Sequence, residues 1–374
     1  MKVLFPYMAR WHAVNWTRYH SLIEALGKQG HEIHVLQPPA MKSDETNFIE
    51  IDSKEMPGVV LHDVPVSKFL WERKWPLDKI VKKAVYSIIA YKTAKKLVKE
   101  HGIDLLLLYN IPQYQYIHIK NVKIAFDFAD DYVDMLKYEL GRFALPPVLR
   151  LADVLLKRMM RKSSVVLSVS HELAKMAEGN VKVLANGVDT RFLKKQAANV
   201  PDKLTIGFIG SFEYFIDFEL ILNSAKLLSQ HHFLLVGSGR QYQSLQSRIK
   251  EEGIHNIELT GGVPHDDIFM YIDKMDVCLN IFKKIPVSHR ACPIKLFEYL
   301  SRCKPVISTR LDELAYIDKD SILYYADSPE ELVNAINEIN EDSGVIKRID
   351  EGFDLVSKHY TWEHLSMDLI KSVE

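Results

Sequence analysis

The sequence lacks long hydrophobic runs and contains little cysteine. No window approaches the roughly 20 consecutive apolar residues that a membrane-spanning helix needs, so we expect a soluble or peripheral protein. Only three cysteines occur in 374 residues, Cys278, Cys292 and Cys303, and their spacing fits no metal site. A protein of the reducing cytoplasm, peripheral at most on the inner face of the cell membrane, is therefore expected.

The sequence also lacks the glycine-rich turn of a dinucleotide-binding site. Lys2–Pro6, Trp16–Lys28 and Glu32–Gln37 predict strand, helix and strand, the start of a parallel, doubly wound sheet. The loop at 7–15 contains no glycine, so a nicotinamide or flavin cofactor is not expected there. Polar residues of this region can contact a ligand, because such sheets bind ligands where their strands end. An ordinary surface loop is the alternative.

The net charge is close to zero, which conceals opposite charges in the two halves. The chain has 48 Lys+Arg and 49 Asp+Glu. Residues 1–197 hold 30 of the basic and 21 of the acidic residues, which leaves 18 basic and 28 acidic residues in the remainder. The basic first half suggests an anionic partner.

Two basic amphipathic segments of the first half predict contact with an anionic membrane surface. In Phe69–Gly102, seven lysines from Lys79 to Lys99 alternate with aromatic and aliphatic residues, and Arg142–Lys162 contains the amphipathic sequence LRLADVLLKRMMRK. Each segment has an alternative as a packing helix with a solvated basic face. No recognised nucleic-acid-binding module accompanies the charge, so nucleic acid is not expected as a partner.

Three carboxylates lie together at the end of a predicted strand. Lys123–Phe128 is an apolar run that contains Asp127 and leads into the sequence ADDY with Asp130 and Asp131. Like charges and partial burial raise the pKa of one carboxyl group, as a general base requires. Equally, Asp130 or Asp131 fits the N-cap of a following helix.

The stretch ACPIKLFEYLSRCKPVISTR at residues 291–310 predicts a helix Lys295–Arg302 and a strand Val306–Thr309. Lys295 places a cation beside the unpaired N–H groups of a helix start, which suits a phosphate. Glu298 follows one turn later, where its carboxylate can accept hydrogen bonds from two sugar hydroxyls. The pair suits a nucleotide sugar, and an ordinary solvated lysine with a surface glutamate is the alternative.

These motifs and their order resemble the GT-B glycosyltransferases of group 1, family 4 and its relatives. The resemblance lies in the PxKLFEYL motif at 293–300 followed by KPV, in the NGVD turn at 186–189 and in a closing helix that starts near residue 358. The strand that ends in an Asp pair is similar to the catalytic region of xanthan-type glucuronosyltransferases and of teichuronic-acid-type enzymes. The resemblance implies an α/β GT-B fold, with two doubly wound Rossmann-like domains facing across a cleft and a C-terminal helix crossing back to the first.

The resemblance also implies roles for the domains and their residues. Residues 1–195, with a helix of about 358–374, would bind the acceptor, and residues 203–357 the donor. Lys295 would contact the donor phosphate and Glu298 the nucleotide ribose. The other expected donor contacts are Gly210, Ser211, Gly237, Val263, Phe282, Arg290, Pro293, Ile294 and Asn186. The expected acceptor contacts are Arg10, His12, Asn15 and Arg18.

The chain departs from the usual family 4 pattern in its charged residues. Family 4 commonly has a second glutamate at the position of Arg290, an arginine at that of Ser211 and a lysine near Ile216 and Asp217. We therefore expect diphosphate binding to fall more heavily on Lys295.

Together the motifs predict a glycosyltransferase that needs no metal and no cofactor besides its donor. It would move a hexosyl or glucuronosyl group from a nucleotide diphosphate sugar, with UDP-sugar favoured, to a lipid-linked or cell-surface polysaccharide acceptor. Asp130 or Asp131 would deprotonate the acceptor in an inverting reaction and position substrate in a retaining one. A nucleotide-sugar 2-epimerase and a non-catalytic GT-B-like partner subunit are the alternatives.

Overall fold

The computed structural model describes residues 1–12, 16–39, 56–67, 78–196, 201–319, 321–341 and 343–374, with side chains from residue 81 onward in the fourth of these ranges. The predicted acceptor contact Asn15 and residues 69–77 of the first basic segment lie outside the described residues. The chain forms two compact units, one of residues 1–185 with 365–374 and one of residues 186–364.

The first unit is built on a parallel sheet. Its strands are β1 Lys2–Pro6, β2 Glu32–Gln37, β3 Val59–Asp63, β4 Leu105–Leu108, β5 Lys123–Phe128, β6 Val165–Ser168 and β7 Val181–Val183. Their order in the sheet is β3-β2-β1-β4-β5-β6-β7. The central strands are nearly continuous apolar runs because helices cover both faces of a parallel sheet, and all of β4 is buried. The order reverses between β1 and β4, the place where such sheets bind ligands beyond their carboxyl ends.

Helices of the first unit follow from amphipathic stretches between these strands. They are α1 Arg18–Lys28, α2 Asp78–His101, α3 Tyr132–Leu140, α4 Pro146–Lys162 and α5 His171–Ala174. Thr17 and His20 form a capping box at the start of α1, which satisfies backbone N–H groups that the helix leaves unpaired. Almost all of α1 is buried, so this helix is a central part of the first unit.

The second unit repeats the same plan. Its strands are β8 Thr205–Ile209, β9 His232–Val236, β10 Ile257–Gly261, β11 Val277–Asn280, β12 Val306–Ser308 and β13 Tyr324–Tyr325. They pair in parallel in the order β10-β9-β8-β11-β12-β13. Here the order reverses between β8 and β11, so the loops after these two strands mark the expected ligand position of this unit.

The remaining helices belong mainly to the second unit, except for the last. They are α6 Phe218–Leu227, α7 Tyr242–Glu251, α8 Ile268–Lys274, α9 Pro286–His289, α10 Ile294–Leu300, α11 Leu314–Ile317, α12 Pro329–Glu341, α13 Val345–His359 and α14 Trp362–Val373. From Leu365 onward, α14 belongs to the first unit. Gln29 Nε2 donates to Ser366 Oγ at 2.8 Å and Lys123 Nζ to Val373 O at 2.5 Å. The predicted return of the C-terminal helix is thus confirmed.

The boundary between the units lies at the NGVD turn. Asn186 Nδ2 donates to Cys292 O at 2.6 Å. Arg302 Nη1 donates to Phe192 O at 3.0 Å, so the segment after the turn also packs with the second unit. The second unit therefore begins at Asn186, earlier than the expected boundary at 195–203.

The ends of β8 and β9 approach each other closely at Gly237, the residue that follows β9. Its φ is +142°, and a Cβ there would lie 1.9 Å from the carbonyl oxygen of Gly210. We expect Gly237→Ala to lower the free energy of unfolding by about 3 kcal/mol or more, measured by urea denaturation. Gly253→Ala is the matched control, because its φ is +62° with no atom within 4 Å, and it should cost about 1–2 kcal/mol. Equal costs would show that the close approach has no energetic weight.

Candidate active site

In the second unit, Lys295 lies at the carboxyl end of β8. Its Nζ is 4.0 Å from the ring centre of Phe208 and 4.9 Å from that of Phe282. A Cβ on Gly210 would lie 3.3 Å from Lys295 Nζ, and Gly210 has a φ of +139°. Glycine at this strand end therefore leaves room for the ammonium group at the point where the strand order reverses.

Tyr299 holds helix α10 in this position. Its hydroxyl accepts a hydrogen bond from Ile209 N at 2.8 Å and lies 3.4 Å from Leu279 O. Ile209 ends β8 and Leu279 lies near the end of β11. Because Lys295 precedes Tyr299 by four residues, both side chains lie on the same helix face. The tyrosine thus brings Lys295 to these two strand ends.

The ammonium group of Lys295 is poorly solvated. Burial lowers the pKa of Lys295 to about 7, although the carboxylate of Glu298 acts to raise it. Within the ranges that the structure describes, no oxygen accepts a hydrogen bond from Lys295 Nζ. An anion at this point would favour the charged amine and accept charge-assisted hydrogen bonds from it.

Glu298 is buried and lies beside a histidine that the sequence did not indicate. Its Oε1 is 3.5 Å from His265 Nε2. Burial opposes a charge on His265, but Asp266 and Glu298 raise its pKa to about 9. The raised pKa favours the imidazolium at neutral pH, and in this form His265 can orient the Glu298 carboxylate. It lies two residues after Val263 in the loop after β10. This closeness to a predicted donor contact was the only feature of the sequence that pointed to His265.

The positions that hold cations in the usual family 4 pattern have other roles here. Ser211 is exposed. Ile216 is fully buried and pairs with Phe282 through an isolated bridge. Asp217 caps α6 by accepting a hydrogen bond from Leu220 N at 3.1 Å. These residues provide no positive charge for a diphosphate.

The other predicted donor contacts divide into two groups. Gly237, Phe282, Pro293 and Ile294 lie at strand ends or at the start of α10, whereas Val263 lies in the loop after β10, Arg290 ends α9 and Asn186 lies in the NGVD turn. Phe282 is buried, and its N–H donates to Thr309 Oγ1 at 3.1 Å. This bond holds the backbone of Phe282, whose ring is one of the two beside the Lys295 ammonium group.

In the first unit, Arg18 and Asp127 form a buried bidentate ion pair. Arg18 Nη2 lies 2.9 Å from Asp127 Oδ1, and Nε lies 3.1 Å from Oδ2. Nη2 also donates to Leu184 O at 3.2 Å, and Nη1 to Ala185 O at 3.4 Å. Arg18 is only 5% exposed. It therefore connects β5 with the chain after β7, which is a different role from the predicted contact with an acceptor.

The two candidate bases differ in their hydrogen bonding. Asp131 caps α3, because its Oδ1 accepts a hydrogen bond from Asp134 N at 3.0 Å. Asp130 is accessible to solvent, and in the described part of the chain no donor is paired with its carboxylate. Although the residue is partly exposed, the protein packed around its carboxyl group limits solvation of the charge and raises the pKa of Asp130 to about 7. Arg18 opposes this shift, whereas the charges of Asp127 and Asp131 add to it.

Arg10 and His12 lie after β1 at the same edge of the sheet. Arg10 Nη1 is 2.9 Å from Asp63 Oδ1 and 3.2 Å from Pro38 O. His12 is half-buried, and burial and the charge of Arg10 lower its pKa. Its Nδ1 is buried without a partner among the described residues. Of these two predicted acceptor contacts, His12 thus has the unsatisfied polar atom.

Two family models match most of the sequence. The model described as Glycosyltransferase Family 4 matches residues 16–192, and that described as Glycosyl transferases group 1 matches residues 203–342. The chain belongs to the group 1, family 4-like glycosyltransferases. This glycosyltransferase is 23% identical over 352 residues to "Uncharacterized glycosyltransferase MJ1178" of Methanocaldococcus jannaschii, a match that covers 89% of this chain and 91% of that protein. It is 27% identical over 186 residues to "Putative teichuronic acid biosynthesis glycosyltransferase TuaH" of Bacillus subtilis, covering 46% and 45%.

Solved structures share the fold of this glycosyltransferase. Sucrose-phosphate synthase from Thermosynechococcus elongatus matches with a TM-score of 0.76 at 15% identity, over 99% of this chain and 97% of that one. Anabaena HepE in complex with UDP-glucose matches with a TM-score of 0.70 at 16% identity, over 100% and 99%. At these identities the likeness concerns the fold, and it confirms the predicted GT-B class.

Proposed function

We propose that this glycosyltransferase moves a sugar from a nucleoside diphosphate sugar to an acceptor at a membrane surface. The position of Lys295 carries the donor half of the proposal. A poorly solvated amine lies at the sheet edge where doubly wound folds bind ligands, and a diphosphate beside Gly210 would supply the negative charge that the amine lacks. UDP is the favoured nucleotide, because HepE, which shares the fold, was solved with UDP-glucose.

In this proposal, the carboxylate of Glu298 accepts hydrogen bonds from the hydroxyl groups of the donor ribose. An ionised carboxylate has several acceptor positions, so a contact with the His265 imidazolium leaves others for a ligand. The imidazolium orients the carboxylate, since the two groups lie 3.5 Å apart. In this scheme His265 positions Glu298 and needs no contact with the donor.

In the proposed reaction, the bond between the anomeric carbon and the diphosphate oxygen breaks and a bond to an acceptor oxygen forms. Lys295 stabilises the departing diphosphate by its charge, which makes a metal ion at the diphosphate unnecessary. In an inverting reaction Asp130 takes the proton of the acceptor hydroxyl. In a retaining reaction Asp130 positions the acceptor instead.

An exposed apolar patch in the first unit supports an acceptor at a membrane surface. Its six large apolar side chains are 41–59% exposed: Tyr138, Phe143, Leu145, Val148, Leu151 and Val154. On α4, the spacing of Leu151 and Val154 puts them on the side away from buried Leu156. The exposed cations Arg150 and Arg158 accompany them. Apolar side chains among cations suit an interface with anionic lipid.

The first basic segment gives weaker support for lipid contact. The apolar stripe of α2 is buried within the protein through Tyr86, Ala90, Ala94, Leu97 and Val98. We therefore assign lipid contact to the apolar patch. Across the described ranges, every helix is too short or too polar to pass through a bilayer. Peripheral attachment at the inner face of the cell membrane is the location that we propose.

Donor binding should depend on pH through Lys295. The pKa of Lys295 is about 7 in the free protein, and a bound diphosphate will raise it. The affinity for UDP-glucose should therefore be constant below pH 7 and fall about tenfold per pH unit above it, until the pKa of the bound state is reached. Calorimetry in buffers of different ionisation enthalpy should show proton uptake on binding near pH 8. The diphosphate of UDP-glucose is esterified at both ends, so it does not itself titrate there.

Two variants and a control isolate this effect. Lys295→Arg keeps a permanent cation, so its affinity should stay constant up to pH 9. Lys295→Met should bind weakly at every pH, whereas Lys283→Met, which removes an exposed lysine, should behave like the wild type. If the affinity of the wild type for UDP-glucose did not change with pH, and Lys295→Met bound UDP-glucose normally, this placement of the donor would be refuted.

Asp130→Asn should lower the rate of donor turnover by about 10²–10⁴-fold. Hydrolysis of the nucleotide sugar, with water in place of the acceptor, measures this rate. In the wild type, kcat/KM should fall as the pH drops below 7, because Asp130 must be ionised to accept a proton. Asp131→Asn is the control and should keep most of the activity, since asparagine also caps helices. A fully active Asp130→Asn enzyme would exclude Asp130 as the base.

The same assay separates the alternative functions. A panel of UDP-, GDP- and dTDP-sugars identifies the nucleotide, and NMR of the released sugar shows whether the anomeric configuration is inverted or retained. A 2-epimerase would return a nucleotide sugar inverted at C2 without an acceptor. A non-catalytic subunit would bind donors without turnover, and either outcome would replace the proposed function.

The enzyme should co-sediment with vesicles that contain phosphatidylglycerol, and salt should weaken this binding. Leu151→Ser/Val154→Ser should abolish binding, because both side chains are more than half exposed in the apolar patch. Ile88→Ser is the matched control, since Ile88 is 61% exposed on α2, and it should bind like the wild type. A wild type that ignores anionic vesicles would remove the membrane half of the proposal.

A further inference from the structure

Three histidines and a glutamate form a cluster in the first unit, apart from the carboxyl edge of the sheet. Glu32 begins β2, His34 lies two residues along the same strand, His62 lies on β3 and His101 ends α2. One potential ligand atom from each of Glu32, His34 and His101 lies within 4.8 Å of the other two. The cluster thus joins two neighbouring strands with the end of the helix that packs on the sheet.

His34 is at the centre of this cluster and uses both ring nitrogens. Its Nε2 lies 2.9 Å from Glu32 Oε1, and its Nδ1 lies 2.8 Å from His62 Nε2. The ring centres of His34 and His101 are 4.5 Å apart. Because His34 is only 1% exposed, these neighbours and not bulk water determine what its nitrogens can bind.

The chemistry of these groups matches a divalent transition metal ion. Lys2 Nζ lies 3.3 Å from Glu32 Oε2, so it occupies the carboxylate oxygen that faces away from His34. Two imidazoles and a carboxylate form a known ligand set for Zn²⁺, with water in the fourth position. Mg²⁺ and Ca²⁺ prefer oxygen ligands alone.

We propose that Glu32, His34 and His101 bind a zinc ion, and that His62 orients His34 from the outer shell. In the zinc-bound form His34 takes the metal at Nε2 and donates the ring proton on its Nδ1 to His62 Nε2, while His62 carries its own ring proton on Nδ1. Such a second hydrogen bond fixes the tautomer and orientation of a metal-binding imidazole. The ion connects β2 with the end of α2, so its role is to stabilise the first unit. It takes no part in sugar transfer.

The test uses the full chain, freed of any histidine tag and dialysed against a chelator. Titration calorimetry with ZnCl₂ should show one tight site, and zinc should raise the thermal unfolding temperature. His101→Ala and Glu32→Gln should each weaken zinc binding at least tenfold, and His62→Ala should weaken it about 10–100-fold. His118→Ala is the matched control, since His118 is an exposed histidine of the same unit, and it should bind zinc like the wild type.

Cobalt gives a second readout that does not depend on stability. Co²⁺ should give the visible bands of a four-coordinate site in the wild type and in His118→Ala, and these bands should be absent in His101→Ala. Equal zinc affinity in the wild type, His101→Ala and Glu32→Gln would overturn the proposal. Donor hydrolysis should be unchanged after chelation at a temperature where the apo protein is folded, and loss of hydrolysis there would overturn the structural role.

Discussion

In the proposed function, the donor site of the second unit depends on one poorly solvated amine. Lys295 lies against the rings of Phe208 and Phe282 without a hydrogen-bonded oxygen among the described residues. The charged form is disfavoured by burial, and the rings return part of that energy as cation–π attraction. The arrangement persists because Tyr299 fixes the helix and Gly210 leaves the space. An anion bound at this point would favour the charged amine, which is the property that a phosphate-binding position needs.

In the first unit the buried cation of the candidate site, Arg18, already has an anionic partner. Arg18 is committed to Asp127 by two charge-assisted hydrogen bonds, since a buried carboxylate without a partner would be strongly destabilising. This pairing keeps the end of β5 in place and leaves the neighbouring Asp130 as the carboxylate without a paired donor in the described ranges. Asp131 meanwhile caps α3. Three carboxylates that look alike in the sequence thus differ in the structure: Asp127 forms an ion pair, Asp131 caps a helix, and Asp130 has no paired donor in the described ranges.

Much of the fold could be predicted because parallel strands buried on both faces are continuous apolar runs. The bounds of β1, β2 and β5 match the predicted ones. The two-residue strand β13 was not predicted, since two tyrosines carry no periodic signal. The site was harder. Arg18 could not be recognised as buried, because its partner is 109 residues away in sequence. His265 was missed for the same reason, since only folding brings the loop after β10 to Glu298.

The division of the first unit between two distant parts of the chain affects how the protein can be assembled. Residues 186–364 are contiguous, so a ribosome finishes all of the second unit in one stretch. The first unit must wait for residues 365–374, because Gln29 at the end of α1 and Lys123 of β5 hydrogen-bond to side-chain and backbone atoms of α14. The first unit is therefore completed only after the second unit has been synthesised. Until α14 has been synthesised, the surface of the first unit on which it packs stays exposed, and a fragment that stops at Ala185 would retain that exposed surface permanently.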